Sequence, residues 1–203
     1  MNQEQREAII AEGIGVVDLW EASPIRFDDG ESHTEEIIDA LFPGNALLCV
    51  GTDVRNAETA PRESFRGRLS QYQHIVPSPM LALEGLTEEG YLSRRSKDNV
   101  GPRRYLVIEF DKGSTDEHAA ILLHLAKEVP LAMVVHSGGK SLHGWVACQS
   151  ASERQQEGLM RKVVILGADP ATWTRCQFVR MPDATRDNGS RQWVVYLNLG
   201  VVK

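Results

Sequence analysis

The sequence predicts an α+β protein whose second half forms a ferredoxin-like β-α-β-β-α-β sheet, packed with an N-terminal α/β lobe. From residue 105 onward, short apolar runs typical of buried strands alternate with two segments of helical periodicity. A serine precedes each of these helices, with a glutamate or glutamine three residues later, which is the capping-box pattern. Only a glycine-rich turn separates the second strand from the third, so the order is that of the split βαβ arrangement.

The N-terminal lobe is predicted to span residues 1–104. An early helix is followed by a second one at SHTEEIIDALF, where Ser32 and Glu35 match a capping box and Pro43 stops the helix. The rest of this lobe is rich in turns and charged residues. Three strands are predicted in it, at residues 46–50, 71–76 and 80–83.

The C-terminal lobe is predicted to span residues 105–203 and to form one core with the first. Ser114 caps its first helix, which ends at Pro130, and Ser152 caps the second, which ends at Gly167. One extra strand follows the β-α-β-β-α-β unit. The predicted strands are YLVIEFD (105–111), LAMVVH (131–136), LHGWVAC (142–148), QFVRM (177–181) and WVVYLNL (193–199).

This topology predicts which residues meet. The first and third strands lie side by side and antiparallel in the middle of the sheet, and the fourth strand flanks the first. The C-terminal end of the first strand, the turn between the second and third, and the entry to the fourth therefore share one edge of the sheet. The residues described next all fall at that edge.

The net charge of −6 is unevenly distributed along the chain. Residues 1–60 hold 13 acidic and 3 basic residues, so the remainder holds 15 acidic and 19 basic residues of the totals of 28 and 22. Basic clusters at RESFRGR (62–68) and RRSKDNVGPRR (94–104) could meet the phosphates of a nucleic acid. Solvated loop charges are an equally good interpretation of each cluster.

Other functional classes receive no support from the composition. No apolar run approaches the ~18 residues of a membrane span, and MNQEQREAII lacks a signal-peptide core, so we expect a cytoplasmic protein without a membrane partner. Cys49, Cys148 and Cys176 form no CxxC pair and have no neighbouring histidine at ligand spacing. They are expected to be structural thiols rather than a disulfide framework or a zinc site.

Two acidic residues stand at the end of the first C-terminal strand. Glu109 and Asp111 are two residues apart, so their carboxylates project from the same face of the strand, opposite to Phe110. Hard cations such as Mg²⁺ and Mn²⁺ take carboxylate oxygens in this arrangement. A strand end that emerges into solvent is the alternative.

The stretch VVHSGGKSLHGW shares Gly-Lys-Ser with a phosphate-binding P-loop, but Val134 stands where the first glycine of that motif belongs, and a strand follows instead of a helix. The turn from Ser137 through Gly139 to Lys140 is better interpreted as a nest of backbone N–H groups beside an ammonium group. His143 begins the next strand, near the acidic pair. Together these features indicate a site for a metal-bound triphosphate.

A third carboxylate and two arginines are predicted near the same edge. Asp169, in GADPATW, follows the second helix, and two-metal phosphoryl chemistry commonly uses three acids. Arg180 and Arg186 flank the bend in VRMPDATR, from which both could reach phosphates. A turn-forming role for Asp169 and surface salt bridges for the arginines are the alternatives.

These motifs resemble those of the catalytic core of archaeo-eukaryotic primases, the primase-polymerase superfamily found also in plasmid and phage replication proteins. The motifs of that family are an acidic pair on a strand, a small-x-His segment, and a third acid before a basic-x-Pro bend. They correspond here to VIEFD, HSGGKSLHGW and ADPATWTRCQFVRMP, within roughly residues 105–190. Asp183 departs from the pattern, because many plasmid and phage relatives carry glycine after Met-Pro.

The resemblance implies an RRM-like, palm-like catalytic lobe that performs template-directed nucleotidyl transfer, as a DNA primase or polymerase in the replication of a mobile element. It implies two Mg²⁺ or Mn²⁺ ions held by Glu109, Asp111 and Asp169. The implied partners are a single-stranded DNA template, an NTP or dNTP, and a helicase domain or protein. The implied nucleotide-binding residues are Ser137, Gly139, Lys140, His143, Arg180 and Arg186. The implied template contacts are Arg62, Arg66, Arg68, Arg94, Arg95, Arg103 and Arg104.

Two functions from other classes remain open on the sequence. One is a non-catalytic nucleotide- or DNA-binding module of a larger replication protein, which would keep the fold without turnover. The other is a different metal-dependent phosphotransferase or a nuclease on the same type of sheet. Consumption of nucleoside triphosphate with a template, as opposed to simple cutting of DNA, distinguishes them.

Overall fold

The computed structural model describes residues 3–27 and 30–202, which fold into five helices, ten strands and several short 3₁₀ turns. The helices are α1 (Gln3–Ile10), α2 (Val16–Glu21), α3 (Thr34–Leu41), α4 (Thr115–Ala126) and α5 (Glu153–Ile165). The strands are β1 (Leu47–Gly51), β2 (Ala57–Pro61), β3 (His74–Ile75), β4 (Gly85–Leu86), β5 (Leu92–Ser93), β6 (Tyr105–Glu109), β7 (Leu131–His136), β8 (Leu142–Ala147), β9 (Val179–Arg180) and β10 (Val194–Leu197). Within those ranges, no helix has the length and apolar character that crossing a membrane requires.

Two antiparallel four-stranded sheets carry the architecture. The first has the order β2-β1-β3-β9 and the second the order β10-β7-β8-β6, while β4 and β5 form a separate small hairpin. The first sheet takes its fourth strand from the C-terminal half of the chain, so the two sheets are connected through residues 179–180. The protein is therefore of the α+β class, as the sequence predicts.

The second sheet lies between two apolar layers, because alternate residues of its strands face opposite sides. Leu106, Ile108 and Phe110 pack with α4 and α5 in one core. Tyr105 and Val107 face the other way and pack with the first sheet and α3. Glu109 continues this second series, and it therefore projects between the two sheets where the strand ends.

Most of the predicted C-terminal elements are confirmed. Strand β7 has the predicted bounds, and β6 and β8 are present but end slightly earlier than predicted. Ser114 Oγ accepts a hydrogen bond from Glu117 N, and Ser152 forms the predicted capping box with Gln155. Helix α4 ends at Ala126, before the predicted end at Pro130.

The N-terminal elements depart from prediction in two places. Helix α3 begins after His33, because Ser32 Oγ donates to the carbonyl of Asp183 instead of capping the helix. Residues 80–83 form no strand; Met80 alone makes bridges, to Leu47 and Val100. Strand β1 is confirmed, and of the predicted strand at 71–76 only His74 and Ile75 pair as β3.

The placement predicted for the fourth strand of the C-terminal unit is wrong. Strand β9 pairs with β3 of the first sheet and does not flank β6. Residues 168–169 take that flanking place: Phe110 bridges Ala168, and the Asp169 N–H donates to the Glu109 carbonyl at 2.8 Å. Pro170 then ends the pairing, because proline has no N–H for a ladder and here starts a 3₁₀ turn.

Candidate active site

The three carboxylates singled out in the sequence lie at one end of β6. Glu109 pairs with His143 across the β6–β8 ladder, Asp111 follows two residues later, and the backbone of Asp169 is hydrogen-bonded to Glu109. Asp169 Oδ1 accepts from Ala171 N, so this carboxylate also caps the 3₁₀ turn, which is the alternative that the sequence left open. Asp111 is exposed, and no hydrogen bond joins its side chain to another described residue.

Glu109 is the most perturbed of the three. Burial, and after it the negative charges of Asp111 and Asp169, raise the pKa of its carboxyl to about 7, against the opposing effect of Arg180. A proton therefore occupies this carboxyl in a substantial fraction of molecules at neutral pH. A cation bound among the three carboxylates would relieve the same repulsion that the proton relieves.

The donor chemistry fits a hard divalent cation, since carboxylate oxygens are the ligands that Mg²⁺ and Mn²⁺ prefer. The geometry is less complete. Across residues 3–27 and 30–202, no three His, Cys, Asp or Glu side chains converge closely enough to hold a metal ion. The site therefore offers three electrostatically coupled carboxylates whose side chains must still turn toward a common ion.

His143 is buried beside Glu109 as a neutral imidazole. Its Nε2 lies 3.3 Å from Glu109 Oε1 and 3.3 Å from Ser141 Oγ. Burial, with the nearby charge of Arg180, lowers the pKa of His143 to about 3, so the imidazole is neutral and its contact with Glu109 is not an ion pair. His143 Nδ1 is buried with no hydrogen-bond partner among the described residues, which leaves one polar atom of the site unsatisfied.

The turn between β7 and β8 is stabilised largely from within. Ser137 N donates to the Ser141 carbonyl, and Ser137 Oγ accepts from Ser141 N at 3.2 Å. Gly138 N donates to His136 Nδ1. Among the described residues, only the amides of Gly139 and Lys140 in this turn make no hydrogen bond. The predicted nest is thus reduced to these two N–H groups and the exposed ammonium of Lys140, and Ser137 holds the turn together.

Arg186 lies against this turn. Gly138 has φ +71°, which favours glycine, and a Cβ there would come within 3.0 Å of Arg186 Cδ. A Cβ on Gly139 would lie 3.4 Å from the Arg186 guanidinium. Arg186 Nε is buried and has no hydrogen-bond partner among the described residues. The glycine pair therefore allows a guanidinium to sit directly on the turn.

The charges of both Glu109 and Arg186 act on Arg180. Its pKa is lowered by burial and by Arg186, and raised by the fields of Glu109 and Asp187. Neither carboxylate comes within ion-pair distance, and no salt bridge is formed by Arg180 or Arg186 with any described residue. The two guanidinium groups, which have no carboxylate partner among the described residues, form a positive region whose field reaches the carboxylates.

Asp183 explains how the bend before Arg186 is built, which the sequence did not reveal. It has φ +58°, the only non-glycine residue of the described ranges in the left-handed region. Its buried carboxylate is held by Arg191 Nε at 2.7 Å and by His33 N at 2.6 Å. An aspartate can therefore stand where many relatives of the resembled family carry glycine, because these contacts compensate for the conformation.

The arginines predicted to contact a template have different environments. Arg62 is fully buried between Glu35 and Asp39, so the expectation that it contacts DNA is wrong for the folded protein. Arg103 is also buried, over the Trp173 ring. For the remaining five, DNA contact stays a prediction: Arg66 and Arg68 pair with carboxylates, Arg94 is exposed, Arg95 lies over Phe178, and Arg104 donates to the Leu41 carbonyl.

No family model and no curated protein matches this chain. Two solved structures are similar to it. The primase-polymerase (PrimPol) AEP domain of cyanophage S-2L shows 14% identity and a TM-score of 0.49, over 76% of this chain and 83% of that chain. The polymerase domain of Ligase D from Mycobacterium tuberculosis, in complex with DNA, shows 14% identity and a TM-score of 0.48, over 92% of this chain and 82% of that chain.

Both structural neighbours are archaeo-eukaryotic primase superfamily members, the family that the motifs of this chain resemble. At these identities and TM-scores the likeness assigns no activity to this chain. The candidate function depends on the carboxylates, the neutral histidine and the arginines described above.

Proposed function

We propose that this chain is a template-directed nucleotidyltransferase, a primase-polymerase core made of both lobes, 1–104 and 105–203. The observation that carries the proposal is the meeting, at the end of β6, of three carboxylates, whose charges interact, with two arginines that have no carboxylate partner among the described residues. A metal-bound nucleoside triphosphate has both complementary charges: cations for the carboxylates and phosphates for the guanidinium groups.

Glu109, Asp111 and Asp169 would hold two divalent ions, Mg²⁺ or Mn²⁺. Bound there, such ions neutralise phosphate charge and lower the barrier to attack by a 3′-hydroxyl on an α-phosphate. Deprotonation of Glu109 would accompany binding, because burial and then the repulsion of Asp111 and Asp169 raise its pKa to about 7, and a cation favours the charged form. The neutral imidazole of His143 would pack against the Glu109 carboxylate and limit its movement.

The phosphates would lie on the opposite side of the site. Arg180 and Arg186 supply guanidinium donors, which match phosphate oxygens in geometry and charge. The free amides of Gly139 and Lys140, with the Lys140 ammonium, add donors at the turn that Arg186 covers. Single-stranded DNA as the template, a helicase as a partner and the replication of a mobile element belong to the same proposal.

The test is extension of a primer, and synthesis without a primer, on single-stranded DNA with labelled NTPs or dNTPs and Mg²⁺ or Mn²⁺. The decisive variant is Asp111→Asn, since Asp111 is exposed and its side chain forms no hydrogen bond with a described residue. Glu157→Gln is the matched control, a carboxylate on α5 that pairs with Arg161. We expect product from wild type and Glu157→Gln, and at least a 100-fold loss in Asp111→Asn.

Other results identify the alternatives. Triphosphate binding without product from any variant would indicate a nucleotide-binding module without turnover, which the incomplete convergence of the carboxylates also favours. Shortened DNA, lost in Asp111→Asn, would indicate a nuclease on the same site. Equal product from wild type and Asp111→Asn would remove the carboxylates from the mechanism.

A further inference from the structure

His74 is a neighbour of Arg180 that the motifs do not include. The two residues are paired across the β3–β9 ladder, and Arg180 Nη1 lies 3.0 Å from His74 Nε2. The imidazole is 9% exposed and stacks on Phe178, with ring centroids 5.7 Å apart. The Arg95 guanidinium lies 4.1 Å from the centroid of the same Phe178 ring. His74 is therefore fixed on two sides, by its strand and by an aromatic ring.

The direction of the hydrogen bond follows from the chemistry of the two groups. A guanidinium has donors only, so His74 Nε2 must accept, and the ring proton must be on Nδ1. Burial, followed by the positive charges of Arg180, Arg186 and Arg95, lowers the pKa of His74 to about 4. The imidazole is consequently neutral at pH 7, as an acceptor has to be.

A neutral acceptor has a different effect on an arginine from that of a carboxylate. Arg62, elsewhere in the chain, is oriented by Glu35 and Asp39, which also cancel its charge. His74 orients the Arg180 guanidinium and leaves its full positive charge available. The remaining donors of Arg180 form no ion pair with a described residue. Such an arrangement stabilises the protein less than a salt bridge would, but it suits the binding of an anion.

We propose that His74 is a positioning residue, which holds Arg180 in the orientation that binds the triphosphate without neutralising it. This inference rests on the proposed nucleotide site and adds a residue outside its motifs. The neutrality of the His74 side chain is as important as its hydrogen-bonding nitrogen. Three substitutions separate these two properties: Gln keeps a neutral acceptor, Phe removes the acceptor, and Glu keeps an acceptor but adds a negative charge.

The experiment measures binding of inorganic triphosphate and of ATP by calorimetry, with wild-type protein and the His74→Gln, His74→Phe and His74→Glu variants. We expect His74→Gln to bind within about 3-fold of wild type and His74→Phe about 10-fold more weakly. His74→Glu should bind still more weakly, by about 30-fold or more, because it neutralises Arg180. Far-ultraviolet circular dichroism checks that each variant is folded.

A double-mutant cycle adds a result that a merely structural role would not produce. In an Arg180→Gln background, His74→Phe should cause no further loss of triphosphate affinity, because the group that it positions is gone. Equal affinities of His74→Gln and His74→Glu would overturn the inference, even if His74→Phe does not fold. The inference would also be overturned if His74→Phe weakened triphosphate binding as much in the Arg180→Gln background as it does in wild type. Wild-type protein that binds no triphosphate would instead overturn the proposed nucleotide site itself.

Discussion

Two groups of arginines lie close to the first sheet, and they are partnered in opposite ways. Arg62, Arg66 and Arg68 each lie within 3.0 Å of a carboxylate, supplied by Glu35, Asp39, Glu58 or Glu63. Arg180 and Arg186 have no carboxylate at ion-pair distance among residues 3–27 and 30–202. The sequence suggests phosphate contacts for both groups, and only the fold separates them.

The presence or absence of a carboxylate partner shows how an arginine that the sequence assigns to phosphate should be interpreted. A guanidinium with carboxylates around it has its charge compensated, so it contributes to stability and offers little to an external anion. A half-buried guanidinium without a carboxylate raises the electrostatic free energy of the folded protein, which an anionic ligand can lower. The first group should therefore affect unfolding, and the second should affect ligand binding.

The largest expected effect is on the paired group. Arg62→Met removes a fully buried guanidinium from Glu35 and Asp39 and leaves Asp39 with Arg66 alone, so we expect the free energy of unfolding to fall by about 3 kcal/mol. Urea denaturation measures this. Arg55→Met, at an exposed arginine that pairs with no carboxylate of the described ranges, is the control and should leave the urea midpoint unchanged. An unchanged urea midpoint in Arg62→Met would contradict the conclusion that the paired arginines contribute to stability.

The second effect is the pH dependence that burial, and after it the unpaired arginines, impose on His74. Its pKa falls from 6.5 to about 4 on folding, so between these values the unfolded chain binds a proton that the folded protein does not. Stability from this residue is complete above pH 6.5 and is lost as the pH falls toward 4, by at most about 3 kcal/mol. Glu109, whose pKa is raised, has the opposite slope between pH 4.5 and 7.

The contribution of His74 is isolated by difference. In urea denaturation at a series of pH values, the free energy of unfolding of wild type minus that of His74→Gln should fall as the pH falls from 6.5 to 4, because glutamine does not titrate. The Glu109 contribution is common to both proteins and cancels. A difference that is constant with pH would mean that His74 is not held neutral by burial and by the arginines.

The third effect concerns the unpaired group directly. Arg186→Gln should weaken triphosphate binding by roughly 30-fold, the loss of one charge-assisted contact to phosphate, while the melting temperature stays the same or rises. The rise would reflect relief of the repulsion between Arg186 and Arg180. Arg161→Gln, at an exposed arginine of α5 that pairs with Glu157, is the matched control. A strong loss of stability with unchanged triphosphate binding would mean that Arg186 has a structural role, like the paired arginines.

The C-terminal elements could be predicted because their signals are local. Ser114 with Glu117 and Ser152 with Gln155 are three residues apart, and the residues of β6 and β7 form continuous apolar runs. The meeting of Glu109 with His143 also followed from the sequence, since the order β-α-β-β places the first strand beside the third. Short-range patterns and one topology were sufficient for this part of the site.

What could not be predicted depends on contacts remote in sequence. Arg62 is 27 residues from Glu35, and nothing near Arg62 signals that pairing. His74 is 106 residues from Arg180, and the two meet only because β9 joins the first sheet after Pro170 ends the pairing along β6. The capping role expected of Ser32 failed for the same reason, because its hydroxyl is bonded to Asp183, 151 residues away.

The smallest expected effect is at Arg66, the exposed member of the paired group. Its side chain is half exposed and its ion pairs with Asp39 and Glu63 lie at the surface, where water and salt screen them, so Arg66→Gln should leave the melting temperature unchanged. This variant also tests the template contact that the sequence predicts there. Binding of single-stranded DNA, measured by fluorescence anisotropy over a range of salt concentrations, reports the loss of a phosphate contact as a weaker salt dependence. Pairing with two carboxylates leads us to expect no change, and a reduced salt slope would instead assign Arg66 to the template.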